Sequence, residues 1–532
     1  MSDLAYRLKV FRQIGLVKPQ LPHRLAVAGY NLVKWGPGFP AAIAAAAARS
    51  PKQTAIIDDL GEITWSELRD QVNQLSRGLQ ERGIEPGDSV ALLARNHRYI
   101  VMSMIAIMQV GARVLLLNTM ASGSQLTELA NREGAKFIIL DEEFLPVAEK
   151  VDRDQLILGW KDTGDSDIPS VADILHGQST KQPAKPEKRG SVIIFTSGTT
   201  GLPKGAKREE PEGLDPLVAF FGAIPYRGNS TIVLGAPLFH SWGLINFGFG
   251  LSTVPTYVMR RRFKAEQVLK DIDEHKAEAL VVVPLMMQRL VDADPDLVKK
   301  ADVSSLRITA ASGSALAGEL ATTYMDTFTD SVYNFYGATE TGWVTVASPE
   351  DLRAAPGTAG RPPWHTTVRI LKDGKEVEAG ETGTIYVAND MPFGGYTDGN
   401  TKEFADDLMS TGDLGHFDED GRLFVSGRDD DMVISGGENV FPRELEDVLI
   451  GHDDITDVVV VGVDDKDWGQ ALGAYVVTKD GATLEHDDIV AYAKGKVARF
   501  AVPRRTKFLD ELPRNPTGKV MKRELPDFDD EE

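Results

Sequence analysis

A run of glycine, serine and threonine residues follows a short apolar segment and could bind phosphate. The segment Val192–Phe195 has the length and β-branched content of a buried strand, and the run continues directly from it. Backbone N–H groups and hydroxyls in such a loop can turn toward phosphate oxygens, with Lys204 as a nearby cation. The spacing differs from the Walker motif, because Pro203 stands at the place of its second glycine. The ten residues are Thr196, Ser197, Gly198, Thr199, Thr200, Gly201, Leu202, Pro203, Lys204 and Gly205.

This loop resembles the phosphate-binding signature of the adenylate-forming superfamily, which includes acyl-CoA synthetases, amino-acid-adenylating domains and firefly-type luciferases. Four more segments resemble motifs of that superfamily and follow in its order. They are the adenine and magnesium motif at Asn334–Glu340, the ribose-binding segment at Ser410–Leu414, the hinge at Gly427–Asp430 and the C-terminal lysine motif at Pro513–Lys519. Together the motifs extend from the phosphate loop almost to the end of the sequence, so the resemblance covers most of the chain.

The resemblance implies that the protein activates a carboxylate with ATP. A carboxylate oxygen would attack the α-phosphorus and give an acyl-adenylate and pyrophosphate, so catalysis is mainly positioning and cancellation of negative charge. Lys519 is then the catalytic lysine, Glu340 the Mg²⁺ ligand and Thr339 a hydroxyl for the α-phosphate. An isolated acid or lysine could equally be a surface residue, and it is the surrounding motif that favours catalysis in each case.

Other residues of these motifs are expected to hold the nucleotide. Tyr336 offers a flat face for adenine, and Asp413 presents two acceptors to a ribose to which Arg428 also donates. The small side chains of Ala311–Ala315 would let adenine lie close to the backbone. Besides the phosphate loop, the expected ATP- and AMP-binding set is Gly313, Ser314, Ala315, Asn334, Phe335, Tyr336, Gly337, Thr339, Asp413 and Arg428.

The resemblance also implies a second reaction, in which the acyl group passes from AMP to the thiol of CoA. In the superfamily the C-terminal domain rotates about one hinge residue after the adenylate has formed, and that residue corresponds to Asp430. Ser435, Gly436 and Gly437 would then lie on the face presented to CoA, where two glycines allow the pantetheine chain to approach. The implied cofactor is Mg²⁺, with ATP and CoA as co-substrates.

The segment Pro237–Gly243 is similar to the acyl-site motif of the superfamily. It opens the longest uncharged stretch of the chain, Gly228–Met259, which we interpret as a buried segment lining a cavity rather than a membrane span. His240 would orient the substrate carboxylate, although a histidine on an apolar stretch can also be a structural core residue. Trp242 and Gly243 are expected to line the acyl pocket, and the glycines at 243, 248 and 250 to leave room for an alkyl tail.

The uncharged stretch favours an acid with an apolar acyl group, because amino-acid-adenylating relatives place an aspartate there. We therefore predict a fatty-acid–CoA ligase for medium to long chains, acting on a carboxylic acid, ATP and CoA. An aryl-acid–CoA ligase and an acyl-AMP ligase that loads a carrier protein remain open. A thioesterase or lipase is disfavoured, since the sequence has no G-x-S-x-G elbow and no cysteine. A non-catalytic adenylate-binding protein would be expected to have lost Lys519 or Glu340, and both are present.

These residues must be positioned by elements that the apolar pattern predicts. Strand-length runs alternate with helical stretches from Val90–Leu93 onward, which indicates an α/β fold with helix-covered, mostly parallel sheets. After about Gly427 the strands shorten, and helices are expected at Pro442–Leu449 and His486–Val497. We predict a basic N-terminal segment (1–50), a large AMP-binding domain (51–428) and a small, mobile α+β domain with the catalytic lysine (429–532).

Charge is distributed unevenly along the chain. The 532 residues carry a formal net charge of −21, which disfavours nucleic acid as a partner. The first 50 residues carry +6, with apolar side chains interleaved among the basic ones. Either this segment touches an anionic membrane surface, or it packs on the acidic body of its own protein. Without a recognisable secretory signal, we expect a cytoplasmic protein, peripheral at the inner face of the membrane if the first alternative holds.

Overall fold

The fold is described from a computed structural model of the 532-residue chain. The structure describes residues 2–17, 22–163, 166–196, 204–208, 213–391, 393–428, 432–435, 438–465, 468–494, 496–516 and 518–528. Within these ranges no helix combines the length and the apolar character that crossing a bilayer requires.

The helices of the described residues are mostly short and lie between strands. They are α1 (Asp3–Gln13), α2 (Pro22–Trp35), α3 (Phe39–Arg49), α4 (Trp65–Glu81), α5 (Arg98–Val110), α6 (Gly123–Arg132), α7 (Val171–Leu175), α8 (Asp215–Ala223), α9 (Ser241–Gly250), α10 (Ala265–His275), α11 (Pro284–Val291), α12 (Pro295–Lys300), α13 (Gly318–Thr327), α14 (Pro349–Ala354), α15 (Pro442–Leu449) and α16 (His486–Ala493).

The strands follow the β-branched runs of the sequence. They are β1 (Thr54–Asp58), β2 (Gly61–Thr64), β3 (Ser89–Leu93), β4 (Arg113–Leu116), β5 (Ala135–Leu140), β6 (Leu156–Leu158), β7 (Ser191–Thr196), β8 (Lys204–Arg208), β9 (Thr231–Leu234), β10 (Thr256–Val258), β11 (Ala279–Val282), β12 (Ile308–Ala311), β13 (Val332–Tyr336), β14 (Thr345–Ala347), β15 (Thr367–Lys372), β16 (Lys375–Glu376), β17 (Gly383–Ala388), β18 (Phe393–Tyr396), β19 (Phe404–Ala405), β20 (Leu408–Phe417), β21 (Leu423–Arg428), β22 (Val433–Ser435), β23 (Glu438–Val440), β24 (Ile455–Asp465), β25 (Gly469–Thr478) and β26 (Arg505–Phe508).

Two sheets with parallel centres confirm the predicted α/β class. The first has the order β14-β13-β12-β11-β9-β10-β1-β2, and its six central strands are parallel. The second has the order β18-β8-β7-β4-β3-β5-β6 and is parallel from β7 to β6. Their central strands are buried, as expected for runs that are apolar on both faces.

A third sheet departs from the mostly parallel pattern. It contains β16, β15, β17, β20 and β19, with β21 paired to β20, and all of these pairings are antiparallel. Its strands carry glycine, threonine and charged residues instead of continuous apolar runs, so the apolar pattern does not reveal them. This sheet supplies Asp413 and Arg428, which face each other across β20 and β21.

A fourth sheet is built entirely from residues near the C-terminus. Its order is β23-β22-β25-β24, with β26 parallel to β25, and α15 and α16 pack against its apolar side. Helix α15 has the predicted bounds, whereas α16 ends at Ala493 and not at Val497. The predicted domain boundaries at 50 and 428 remain predictions.

Candidate active site

One cavity of about 1530 Å³ collects most of the residues that the motifs single out. It lies beside the first sheet, between the third sheet and the C-terminal lysine motif. The predicted site residues on its wall are Lys204, His240, Trp242, Gly313, Ser314, Ala315, Asn334, Phe335, Tyr336, Gly337, Thr339, Glu340, Asp413, Arg428 and Lys519. Motifs separated by as many as 315 positions, from Lys204 to Lys519, therefore share one space.

Parallel pairing explains why these motifs meet. Strands β9, β11, β12 and β13 are neighbours in the first sheet and run in the same direction, so their carboxyl ends lie on one edge. The loop to His240 follows β9, and the Ser312–Ala315 loop follows β12. The segment Gly337–Glu340 follows β13. Each loop therefore opens toward the same cavity.

Part of the predicted phosphate loop lies outside the described residues, namely Ser197, Gly198, Thr199, Thr200, Gly201, Leu202 and Pro203. Its two ends are described. Thr196 closes β7 and Lys204 opens β8, and these two residues pair in an antiparallel ladder. The ammonium of Lys204 lies on the cavity wall, 5.4 Å from the centre of the Tyr396 ring and 3.6 Å from the carboxylate of Asp398.

Tyr336, Asp413 and Arg428 form one polar group on the cavity wall. The hydroxyl of Tyr336 donates to Oδ2 of Asp413 over 2.5 Å, and Nε of Arg428 lies 3.8 Å from Oδ1 of the same carboxylate. Burial and then the adjacent Asp413 charge raise the pKa of Tyr336 well above its usual value, so its hydroxyl stays protonated. The resemblance predicts that the ring of Tyr336 stacks on adenine. The hydrogen bond from its hydroxyl also orients the carboxylate of Asp413.

Glu340 presents a nearly buried carboxylate to the cavity, with 9% of its surface exposed. Its Oε1 accepts a hydrogen bond of 2.7 Å from the hydroxyl of Tyr396, and burial raises the pKa of Tyr396 above its usual value. Among the described residues, no cation forms an ion pair with this carboxylate. A buried carboxylate without a counter-ion is costly, which suits a position that a metal ion completes.

Tyr396 was not identified from the sequence. It lies in β18, which belongs to the second sheet, whereas Glu340 follows a strand of the first. The pairing of β18 with β8 joins residues nearly 190 positions apart, and no local pattern signals it. Ser241 was also missed as a site residue. Its hydroxyl lies 3.1 Å from that of Thr339, which joins the acyl motif to the nucleotide motif.

His240 caps the amino end of α9. Its Nδ1 accepts a long hydrogen bond of 3.5 Å from the N–H of Trp242, which leaves the proton of a neutral imidazole on Nε2. Burial lowers the pKa of His240 to about 4, so the ring is neutral at pH 7. A neutral imidazole can donate one hydrogen bond to a carboxylate without holding it as an ion pair would.

The lowered pKa of His240 predicts that the free energy of unfolding depends on pH. The pKa of His240 is about 4 in the folded protein and 6.5 in the unfolded chain. At pH values between 4 and 6.5 the unfolded chain therefore binds a proton at this imidazole, whereas the folded protein does not. The free energy of unfolding should thus fall as the pH decreases from 7 to 5, by at most about 1.4 kcal/mol per pH unit from this group. In His240→Gln the decrease, measured by urea titration, should be smaller.

The exposed His23 provides the control for that measurement. His23→Gln should keep the pH dependence of the unaltered protein. An unchanged decrease in His240→Gln would contradict the lowered pKa of its imidazole.

The loop that carries Lys519 is folded tightly and packs against the start of α11. The N–H of Lys519 donates to Oδ1 of Asn515, and the N–H of Asn515 donates to the carbonyl of Lys519, each over 2.9 Å. Gly518 adopts φ of +79°, and a Cβ there would lie 2.9 Å from that of Leu285 at the start of α11. A glycine is therefore required both by the turn and by the close approach.

Helices α9, α3 and α2 form the apolar part of the cavity wall. Among the residues on it are Phe39, Ala42, Ala45, Leu32, Ile245 and Phe249. Trp242 also lines the cavity, but most of its ring is buried against Phe335, with ring centres 4.8 Å apart, and its Nε1 donates to the carbonyl of Val282. The uncharged stretch is thus a cavity-lining segment, as the sequence predicts.

The expectation that glycines of α9 leave room for an alkyl tail is wrong for Gly243 and Gly250. A Cβ on Gly243 would lie 2.2 Å from the carbonyl oxygen of Pro237, and one on Gly250 would lie 2.2 Å from the hydroxyl of Tyr257. Gly248 does line the cavity, and a Cβ there would lie 2.9 Å from the ring of Phe39. These glycines permit close packing of the protein on itself, and Gly243 does not line the cavity.

The predicted CoA loop and hinge are only partly described. Gly436, Gly437 and Asp430 lie outside the described residues. Ser435 ends β22, is fully buried and is not on the cavity wall. In this arrangement it is the lysine loop that faces the cavity.

Comparisons with known proteins agree with this architecture. The chain matches the AMP-binding enzyme family over residues 43–397 and the AMP-binding enzyme C-terminal domain over residues 444–519. It is 30% identical over 516 residues to a methyl-dioxo-octahydroindenyl-propanoyl:CoA ligase of Rhodococcus jostii, covering 91% of this chain and 98% of that protein. It is 29% identical over 513 residues to a fatty acid–[acyl-carrier-protein] ligase of Streptomyces coeruleorubidus, covering 90% and 94%.

A solved structure shows the same fold over nearly the whole chain. The o-succinylbenzoate CoA synthetase of Bacillus subtilis, in complex with its acyl-adenylate intermediate, superposes with a TM-score of 0.77 at 26% identity, covering 91% of this chain and 98% of that one. The family match includes more than half of the chain and both the strand-end loops and the lysine motif. The protein thus belongs to the AMP-binding enzyme family of the adenylate-forming superfamily.

Proposed function

We propose that the protein is an ATP-dependent, AMP-forming acid–CoA ligase that acts on an apolar carboxylic acid, with medium- to long-chain fatty acids as its first candidate substrates. One observation carries the proposal. A single cavity joins a polar end, with Glu340, Asp413 and Lys519, to an apolar end walled by α9, α3 and α2. An acid that reacts with ATP needs both environments within one space.

In the first half-reaction the substrate carboxylate would lie near the start of α9. The neutral His240 can donate from Nε2 to one carboxylate oxygen and leave the other free to attack the α-phosphorus. Thr339 and Ser241, whose hydroxyls are 3.1 Å apart, lie where the acyl and nucleotide motifs meet and can donate to phosphate oxygens. The charge that develops during this attack calls for a cation, and Lys519 supplies it from the cavity wall.

Asp413 and Arg428 fit a ribose diol. The hydroxyl of Tyr336 occupies one oxygen of Asp413, and the carboxylate keeps acceptor capacity for a sugar hydroxyl. Arg428 faces Asp413 across two strands and can donate to the same sugar. Because both residues lie within a paired ladder, the nucleotide would be held by a rigid part of the fold.

The residues around Glu340 fit a magnesium ion. This ion prefers carboxylate oxygens and often combines one or two protein carboxylates with substrate phosphates. Tyr396 holds one oxygen of Glu340, and the other accepts no hydrogen bond within the described part of the chain. Bound there, the metal would neutralise phosphate charge, while Glu340 holds it and Tyr396 orients Glu340.

Replacing Tyr396 with phenylalanine should weaken the binding of Mg²⁺ without removing its ligand. Losing one orienting hydrogen bond costs about 1 kcal/mol, so the Mg²⁺ concentration for half-maximal ATP–pyrophosphate exchange should rise roughly three- to tenfold. Exchange at saturating Mg²⁺ should be close to that of the unaltered protein.

Tyr386 supplies a matched control for that variant. Its hydroxyl donates to Glu403 over 3.1 Å, away from the cavity wall. Tyr386→Phe should leave the Mg²⁺ dependence unchanged. An equal shift in both variants would mean that Tyr396 does not act through Glu340.

A second class of acid is favoured by Arg49 at the end of α3. Its guanidinium lines the cavity and donates to the carbonyls of Ser252 and Gly15, over 2.8 and 3.0 Å. In the described part of the chain no carboxylate forms an ion pair with it. Ser252 lies just beyond α9, and this helix of 10 residues separates it from His240 by roughly 15 Å. An acid with a second anionic group at that distance, as in a long α,ω-dicarboxylic acid, could pair with Arg49.

A panel of acids tests the proposal and separates these classes. Release of AMP should be measured with acetate, octanoate, palmitate, benzoate, coumarate, 2-succinylbenzoate and tetradecanedioate, in each case with free CoA as the only acceptor. Activity with octanoate or palmitate would support the first class. Preference for tetradecanedioate, lost in Arg49→Gln, would support the second. Adenylate formation without transfer to CoA would instead indicate a ligase that loads a carrier protein.

A further inference from the structure

Helix α2 turns a row of apolar side chains toward the solvent, which is the reverse of an ordinary surface helix. Its apolar side chains Val27, Tyr30 and Val33 are spaced three residues apart and are 43%, 61% and 77% exposed. We call these three residues the outward stripe. Helices of soluble proteins normally turn such a stripe toward the core. Seven of the eleven large apolar side chains exposed in the described residues lie in the first 33 positions, so they form a concentration rather than scattered cases.

Three polar side chains of α2 face the protein instead, namely those of Arg24, Asn31 and Lys34. Arg24 donates to the carbonyl of Arg49, and the ammonium of Lys34 donates to the carbonyl of Pro183. Asn31 is 3% exposed and accepts a hydrogen bond from the side chain of Gln182. The orientation of the helix is thus held by specific hydrogen bonds and not by burial of its apolar stripe.

The flank of α2 next to the outward stripe belongs to the wall of the cavity. Ala28, Gly29 and Leu32 line it, together with Phe39 and Ala42 of the adjacent α3. Leu32 is also 52% exposed to solvent. A side chain that both lines the cavity and reaches the surface marks a place where the apolar end of the cavity approaches the outside.

The charge of this region is opposite to that of the remaining protein. The first 50 residues carry +6, although the whole chain carries −21. In α1, Val10 and Ile14 beside it are buried, and Arg7 forms an ion pair with Asp215, so α1 is docked on the body. Its other face exposes Lys9 and Arg12. The packing alternative therefore holds for one face of α1, and the exposed basic face is the part that the membrane alternative concerns.

We propose that the outward stripe of α2 rests on the surface of an anionic lipid bilayer and that an apolar acid dissolved in the lipid enters the cavity beside Leu32. The stripe would bury its apolar side chains at the boundary between headgroups and acyl chains, where a tyrosine is well accommodated. The exposed basic residues of α1 would be attracted to anionic headgroups, while the acidic body is repelled and stays in water. The entry route rests on the proposed function, but the contact with the bilayer does not.

Sedimentation with vesicles tests the contact without any enzymatic reaction. Full-length protein is mixed with vesicles of phosphatidylglycerol and phosphatidylcholine at low salt. The partition coefficient of the double variant Tyr30→Glu/Val33→Glu onto the vesicles should be at least roughly tenfold lower than that of the unaltered protein. The variant loses two apolar contacts and gains two charges that the anionic headgroups repel. The control variant Leu60→Glu/Met120→Glu changes two other exposed apolar side chains, 51% and 55% exposed, and should sediment like the unaltered protein.

Thioester formation then tests the entry route. With palmitate incorporated in the vesicles, the double variant should require a correspondingly higher vesicle concentration for half-maximal rate. With octanoate in solution and no vesicles, its rate should equal that of the control variant. If no variant forms any thioester with either acid, the proposed function fails while the sedimentation result still stands.

Three results would overturn the proposal. One is that the unaltered protein ignores anionic vesicles at low salt, and another is that the two double variants sediment alike. The third is that light scattering shows a dimer which Tyr30→Glu/Val33→Glu converts to a monomer with vesicle binding unchanged. The stripe would then be an interface between two copies of the chain.

Discussion

Replacing Lys519 with alanine should abolish adenylate formation and spare the transfer to CoA. Lys519 lines the cavity together with the nucleotide motifs, in a loop fixed by Asn515 and by the packing of Gly518 on Leu285. At an effective dielectric near 20, a cation about 4 Å from a unit negative charge contributes about 4 kcal/mol. Realised only in the transition state, that energy corresponds to roughly three decades of rate, measured as ATP–pyrophosphate exchange.

The same variant provides its own internal comparison. Supplied with synthetic acyl-AMP and CoA, Lys519→Ala should form thioester at nearly the normal rate, because no pyrophosphate leaves in that step. Lys494→Ala removes an exposed lysine that follows α16 and should leave both half-reactions intact. If both half-reactions fall equally in a folded Lys519→Ala protein, the lysine has been assigned to the wrong step.

The parts of this site that the sequence predicts are those that follow a strand directly. The apolar runs at 231–234, 280–283 and 306–309 mark β9, β11 and β12 to within two residues. A ligand site is expected where such parallel strands end. The loops bearing His240 and Gly313 can thus be assigned to one edge of a sheet from the amino-acid pattern alone. In these cases local pattern and global fold agree, because the strand and its loop are adjacent in the chain.

The parts that the sequence does not predict depend on contacts between distant segments. Tyr396 reaches Glu340 only because β18 pairs with β8 at the edge of another sheet. The glycine Gly243 is visible in the sequence, but whether it faces a substrate or the carbonyl of Pro237 is decided by packing. Likewise, amphipathic spacing in α2 predicts a stripe but not the side on which it lies.

The antiparallel third sheet shows the same limit for a whole element. Strands β20 and β21 contain Asp413 and Arg428, and both were identified as ribose contacts by resemblance and not by pattern. These two strands are partly polar because one side of their sheet faces a cavity. They therefore lack the continuous apolar run of a strand that is buried on both faces. A site residue in such a strand is found only by its motif.

Replacing Asp430 with proline should separate the two half-reactions in the opposite sense. The lysine loop faces the cavity in this structure, whereas Ser435 of the predicted CoA loop is buried away from it. For that loop to reach the adenylate, the fourth sheet has to turn relative to the first, and the superfamily resemblance assigns the turn to Asp430. Proline fixes φ near about −65° and would hold one orientation.

In Asp430→Pro, ATP–pyrophosphate exchange should persist, because the arrangement that adenylates is already in place, while thioester formation from synthetic acyl-AMP should fall by orders of magnitude. Asp430→Ala removes the same carboxylate but leaves φ free, so it should retain both activities. This pair distinguishes backbone rotation from a role of the side chain. Equal loss of exchange and transfer in the proline variant, or loss of transfer in the alanine variant, would show that the hinge is not at this residue.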